Sequence, residues 1–182
     1  GNTLVMYTSD HGEVLGMRGR WGKSILYRES TQVPMILSGP DVPRGGNVGT
    51  ATNLVDIAPT VADACGLPAA QDWSGRSLLR LANEPDDPNR ISFSEYHAAN
   101  SPSGGFLVAN ARWTYHEYVG YAPELFDLKN DPLEQHNLAG YPAYSEQRDR
   151  MRRALYGICE PAAVDARAKE DQDKLVARFG GP

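Results

Sequence analysis

The chain has 182 residues, 41% of them hydrophobic, enough for one ordinary core or a core and a fraction. Its formal charge of −5 argues against a nucleic-acid partner, which favours a basic face, and no apolar run approaches the ~18 residues a membrane span needs. Two cysteines, Cys65 and Cys159, are too few for a disulfide framework, and no signal peptide opens the chain.

The first element is Asn2-Thr3-Leu4-Val5-Met6-Tyr7, a short apolar run of β-formers that reads as a strand buried on both faces. A chain that opens without Met on such a strand is expected to be the later part of a longer protein, with partner strands upstream. Thr8-Ser9-Asp10-His11-Gly12 comes next, and Gly16, Gly19 and Gly22 mark the loop that follows. Asp10 and His11 thus stand past the carboxyl end of a strand, where ligand sites lie in open α/β sheets. A hard carboxylate oxygen beside a borderline imidazole nitrogen is a candidate ligand pair for a divalent cation. The same dipeptide also serves as a cap or turn device elsewhere. Lys23, in Trp21-Gly22-Lys23, is placed to hold an anionic substrate against that cation.

Arg28 to Gln32 reads as a connector, Val33–Ser38 as a second strand, and residues 39–46 as a loop rich in Gly and Pro. The stretch 53–68 reads as a helix capped by Asp56, with Pro59 in its first turn, Gly66 as its C′ residue and Pro68 just beyond. Ile57, Val61, Ala64 and Cys65 share the face expected to pack. Asn83 to Asn89 is polar and marks the boundary to a smaller subdomain. Four short β-prone runs follow, at 91–96, 106–109, 113–118 and 124–128, with a hairpin turn at Asn110-Ala111-Arg112. Residues 141–156 read as a helix with Tyr144, Met151 and Leu155 facing inward. The tail, 164–179, is a charged helix or disordered. Val164, Ala168, Leu175 and Phe179 recur along it at helical spacing, and Gly180-Gly181 end it. A docking arm onto a second copy of the chain is the functional alternative for that tail.

Two of the remaining histidines, His116 and His136, read as structural or solvated. His97 ends a strand and precedes the loop Asn100-Ser101-Pro102-Ser103-Gly104-Gly105, so it is a candidate substrate contact.

Several stretches carry a resemblance. They are Thr8-Ser9-Asp10-His11-Gly12-Glu13-Val14-Leu15-Gly16 with Gly19 and Trp21-Gly22-Lys23, then Asp56-Ile57-Ala58-Pro59-Thr60, then Gly75-Arg76-Ser77-Leu78. The last is Glu124-Leu125-Phe126-Asp127-Leu128 with Asp131-Pro132-Leu133-Glu134 and Asn137-Leu138-Ala139. Together they resemble the C-terminal portion of the sulfatase family of the alkaline-phosphatase superfamily, in its choline-sulfatase-like and arylsulfatase-like branches. Arg18 stands where many relatives carry His.

The resemblance implies an α/β fold: the C-terminal part of an alkaline-phosphatase-like sulfatase, with a small four-stranded antiparallel sheet plus a C-terminal helix. It divides the chain into 1–87 (part of the catalytic domain), 88–158 (the antiparallel subdomain) and 159–182 (the tail). It assigns Asp10 and His11 to a divalent cation, calcium first, with manganese or magnesium as alternatives. Lys23 becomes the catalytic group that contacts sulfate, on a small-molecule sulfate ester. The family's nucleophile is a formylglycine made from Cys or Ser in Cys/Ser-x-Pro-x-Arg. Cys65-Gly66-Leu67-Pro68 and Cys159-Glu160-Pro161-Ala162-Ala163 both fail that pattern. Nucleophile and remaining acidic ligands are therefore expected in an N-terminal part of the catalytic domain, and residues 1–182 alone are expected to be inactive. Two other readings stay open: a phosphonate monoester or phosphodiester hydrolase of the same superfamily, and an inert fragment or metal-binding module. Localisation, cytoplasmic or periplasmic in a bacterium, is left open, as is homo-oligomer formation.

Overall fold

Of the opening apolar run only Val5–Thr8 forms a strand (β1). It pairs antiparallel with β2 (Met35–Ser38), in register from Val5↔Ser38 to Thr8↔Met35. The computed structural model describes residues 1–98 and 101–180. These divide into two compact units, Gly1–Lys23 with Glu29–Ser92, and Ser24–Arg28 with Phe93–Pro182.

In the first unit the opening strand keeps one face uncovered within residues 1–182. Val5, Tyr7 and Ile36 are 56%, 63% and 58% exposed. Among the described residues β1 and β2 form a two-stranded sheet, and a lone ribbon has too few neighbours to cover both its faces. The connector Arg28–Thr31 is a single helical turn (α1).

The helix expected within 53–68 is shorter and differently capped. Asn53 is the N-cap of a 3₁₀ turn, Leu54–Asp56, that leads into α2 (Ile57–Ala64). Asp56 makes no side-chain cap to α2. Its fully buried carboxylate takes Arg90 Nη2 at 2.7 Å and the Arg76 N–H at 2.8 Å on Oδ1, and Arg90 Nη1 at 3.0 Å and the Asn53 N–H at 2.8 Å on Oδ2. Thr60 Oγ1 accepts the Leu78 N–H at 2.8 Å, joining α2 to α3 (Leu78–Asn83). These polar anchors turn Pro59, Thr60 and Ala62 inward and leave Val61, Ala64 and Cys65 exposed, opposite to the apolar face read from periodicity. A Cβ on Gly75 would lie 2.1 Å from the Val55 carbonyl oxygen, so the Gly75-Arg76-Ser77-Leu78 turn needs glycine there. Gly66 is the C′ residue in the left-handed region (φ 68°). Its N–H reaches the Asp63 oxygen at 3.0 Å, and the Leu67 N–H reaches Ala62 at 2.8 Å, a Schellman closure.

The second unit is built on a four-stranded sheet in the order β3 (Ser92–Tyr96), β4 (Gly105–Ala109), β5 (Trp113–Tyr118) and β6 (Glu124–Asp127). β4 starts at Gly105, so the loop read over 100–105 ends at Gly104; Asn100 lies outside the described residues, as does Gly181. The β4–β5 turn is closed by Asn110 Oδ1, which accepts the N–H groups of Arg112 (2.9 Å) and Trp113 (2.8 Å). α4 (Ser145–Tyr156) lays Met151 and Leu155 on β4 and β5, where Phe106, Val108 and Tyr115 are buried, as is Leu125 on β6; Tyr144 is half-buried just before it.

The run from 124 to 139 is a chain of side-chain-to-backbone bonds. Asp127 pairs with Arg112 and takes the Lys129 N–H, Asp131 takes the N–H groups of Gln135 and His136, and Asn137 takes those of Leu125 and Ala139. His136 itself is exposed. His116 is fully buried, with Nδ1 3.3 Å from Glu124 Oε2 and Nε2 3.7 Å from Glu134 Oε1. Tyr27 donates to Glu124 at 2.8 Å, and the Arg28 N–H donates to Glu134 at 2.8 Å. Burial pushes the His116 imidazole down, but the two carboxylates outweigh it and raise its pKa above the ordinary value.

The charged tail is α5 (Pro161–Phe179), started by Glu160, whose carboxylate accepts the Ala163 N–H at 2.7 Å. Its first half is fastened: buried Asp165 takes the Gly104 N–H at 2.7 Å and pairs with Lys169, which also reaches the Pro102 oxygen at 2.9 Å. Leu175 and Phe179, grouped with Val164 and Ala168 by their spacing, are exposed.

Candidate functional site

At the end of β1 the chain turns through Ser9 and Asp10. Ser9 Oγ donates to the His11 oxygen at 2.8 Å, and the His11 N–H donates to Asp10 Oδ1 at 3.1 Å. Gly12 fastens this turn to α1: its N–H reaches the Ser30 oxygen at 2.8 Å, and a Cβ there would sit 2.1 Å from the Glu29 oxygen. The backbone can approach this closely only at glycine.

The geometry fixes the imidazole. His11 Nδ1 lies 2.7 Å from the Gly12 carbonyl oxygen, which can only accept, so Nδ1 carries the proton and Nε2 the lone pair. Nε2 is 3.4 Å from Asp10 Oδ2 and 2.5 Å from Lys23 Nζ. The three residues chosen from the sequence, twelve positions apart at most from His11, therefore meet at one nitrogen. Partial desolvation pushes the Asp10 carboxyl up. His11, the backbone N–H groups of Asp10 and His11, and Lys23 outweigh it and hold the group below the usual carboxylate value, hence ionised at neutral pH.

Loop 13–22 brings Lys23 back to His11. Val14 is buried at its base, its N–H donating to the Gly22 oxygen at 2.9 Å, and Gly16 N–H reaches the Arg20 oxygen at 2.9 Å. Two contacts here were not foreseen. Glu13 Oε1 accepts the Gly22 N–H at 2.6 Å, and Arg18 Nε lies 3.3 Å from Glu29 Oε1. A glutamate directly after the Asp-His-Gly turn was the available signal for the first; nothing local signals the second.

His97 belongs to the other unit. Its side chain is 17% exposed, its ring packs edge-on against Phe106 at 5.4 Å, and Glu95 Oε2 is 3.9 Å away. Among the described residues neither ring nitrogen has a hydrogen-bond partner. Cys65 is exposed, and Cys159 is half-buried with its thiol pushed up by burial and then by Glu95, Glu160 and Glu117, the reverse of an activated nucleophile. Among the described residues no three His, Cys, Asp or Glu side chains group so as to hold a metal ion.

The chain is similar to arylsulfatase K of Danio rerio, 33% identical over 162 residues, which are 84% of this chain and 31% of that protein. It spans about a third of the length of the curated relatives it matches. Among solved structures it is similar to BT1596, a 2-O GAG sulfatase (TM-score 0.72, 29% identity, 94% of this chain and 38% of that one). It is also similar to the phosphonate monoester hydrolase SpPMH of Silicibacter pomeroyi (TM-score 0.73, 30% identity, 85% and 34%). The sequence model described as N-sulphoglucosamine sulphohydrolase, C-terminal, matches residues 16–160, most of the chain, and the chain therefore belongs to that family of sulfatase C-terminal regions.

Proposed function

We propose that the full-length protein hydrolyses sulfate esters and that Asp10, His11 and Lys23 form one wall of its active site. The observation that carries this reading is the meeting of a carboxylate oxygen, an imidazole lone pair and an ammonium at His11 Nε2. The donor set fits a divalent cation. Asp10 Oδ2 and His11 Nε2 stand 3.4 Å apart, so both would hold the same cation. The Gly12 carbonyl holds the tautomer that puts the lone pair on Nε2, as outer partners of metal-bound histidines do. Calcium is the first choice, with manganese or magnesium as alternatives. Two ligands fill only part of a six- to eight-oxygen shell, so residues 1–182 alone are expected to bind calcium weakly or not at all, and submicromolar affinity in calorimetry contradicts that.

When bound, such a cation supplies positive charge for an oxygen of the transferring group. One lone pair cannot serve both cation and ammonium, so with His11 Nε2 taken by a cation Lys23 Nζ would be available to the anionic substrate. There it adds charge where the transition state gathers negative charge. Asp10, ionised at neutral pH, holds its side of the cation without changing protonation. His97 is proposed as a further contact to the substrate; an imidazole with no hydrogen-bond partner among the described residues supports that role. The nucleophile, on this reading a formylglycine, lies outside residues 1–182.

Similarity to the phosphonate monoester hydrolase SpPMH favours a second reading, the same wall serving phosphonate esters. Turnover of 4-nitrophenyl sulfate and of a 4-nitrophenyl phosphonate monoester by the full-length protein separates them. A kcat/KM higher for the sulfate supports the first; the reverse order overturns it.

A further inference from the structure

The loop that delivers Lys23 is held in backbone conformations that most residues avoid. Leu15 (φ 51°), Gly16 (87°), Arg18 (54°), Gly19 (66°) and Gly22 (86°) are all left-handed, and two of them are not glycine. Such strain persists only where surrounding bonds over-determine it. Here those bonds converge on Gly22. Its carbonyl, part of the peptide that leads into Lys23, accepts the Val14 N–H at 2.9 Å. Its N–H is gripped at 2.6 Å by the carboxylate of Glu13, a charge-assisted bond across the neck of the loop. The base is fastened by Gly12 on Ser30 and the tip by Arg18 beside Glu29.

Glycine is the residue least able to hold a conformation by itself. The lysine after it carries its charge on a flexible four-carbon stem. An error in the peptide before Lys23 is therefore carried out to Nζ. Glu13 takes no place among the groups around His11 Nε2, yet it fixes the peptide from which Lys23 departs.

We propose that Glu13 is a positioning residue for Lys23: its grip on the Gly22 N–H keeps the ammonium at the place where charge develops on the transferring group. This rests on the reading of Lys23 as the sulfate contact, and the test separates the two.

The measurement is steady-state turnover of 4-nitrophenyl sulfate by the full-length protein carrying Glu13→Ala, Glu13→Gln or Gly22→Ala, each with Lys23 present and in the Lys23→Ala background. Glu13→Ala lowers kcat by about tenfold with a smaller change in KM, since misplacement of about 1 Å costs up to a hundredfold. Glu13→Gln keeps an oxygen for the Gly22 N–H and retains most of the rate. Gly22→Ala adds a Cβ that meets nothing within 4 Å but strains φ 86°, so it disturbs the same peptide from the other side should Glu13→Ala fold poorly. In the Lys23→Ala background these losses vanish. Equal losses in both backgrounds, or wild-type kcat in Glu13→Ala, overturn the positioning role and leave the site standing. A wild-type rate in Lys23→Ala alone, or no turnover by the wild type, overturns the site reading and the positioning role with it.

Discussion

Each unit groups a histidine with carboxylates, and the two groupings live in opposite surroundings. In the first unit the side chains of Asp10 and His11 are 83% and 36% exposed, and the lone pair of His11 faces the Lys23 ammonium. In the second, His116 has no exposure at all and stands between Glu124 and Glu134, whose carboxylates are themselves bonded to Tyr27 and the Arg28 backbone. Residue types are shared; the difference is access to solvent. A grouping sealed from water serves stability, and one whose polar atoms reach solvent can serve a ligand.

The largest effect that could break this contrast is on stability. Glu134→Ala leaves a buried imidazole and the Arg28 N–H short of a partner, and is expected to cost about 3 kcal/mol, read as a lower denaturant midpoint of the 182-residue chain. An unchanged midpoint would mean the buried grouping is not structural. Next comes the mirror test in the other unit. Lys23→Ala in the full-length protein should lower kcat about a hundredfold with little change in melting temperature, and a large drop in melting temperature would erase the distinction.

A smaller effect sharpens it through pH. The folded pKa of His116 is raised above its unfolded value of about 6.5. Its contribution to stability is therefore fully present below about pH 6.5 and is lost as pH rises through the folded pKa. Denaturant midpoints should fall across that range, and His116→Gln should flatten the slope; an equal slope in the variant refutes the assignment. The smallest effect concerns the two sheets. Amide exchange should be faster in β1, open on one face, than in β5, whose Thr114, Tyr115 and His116 are buried. Equal protection of residues 5–8 and 113–118 counts against it.

What the sequence made legible was local chemistry. Gly66 marks the end of α2 because its left-handed cap is a property of two or three residues, and β5 and β6 follow from their β-prone composition. Asp10, His11 and Lys23 meet because a loop of fixed short length joins them. What stayed hidden depends on distant partners. The α2 face was misread because Asp56 is committed to Arg90, 34 positions on, a choice no periodicity records. α5 could not be told from a frayed tail because Asp165 finds the Gly104 N–H 61 positions back. His116 stayed ambiguous because its buried character depends on Glu134, beyond the next strand.

The fastening of α5 by its first half has a practical consequence. Asp165 and Lys169 tie the helix to Gly104 and Pro102, and Gln172 reaches the His97 oxygen at 3.5 Å, whereas Leu175, Val176 and Phe179 are exposed. A protease that trims the last turns of α5 should stall near residue 172, leaving a shortened chain whose sheet keeps its near-ultraviolet aromatic signature. A cut upstream of Asp165 would instead release the Gly104 backbone from its clasp and loosen the neighbourhood of His97.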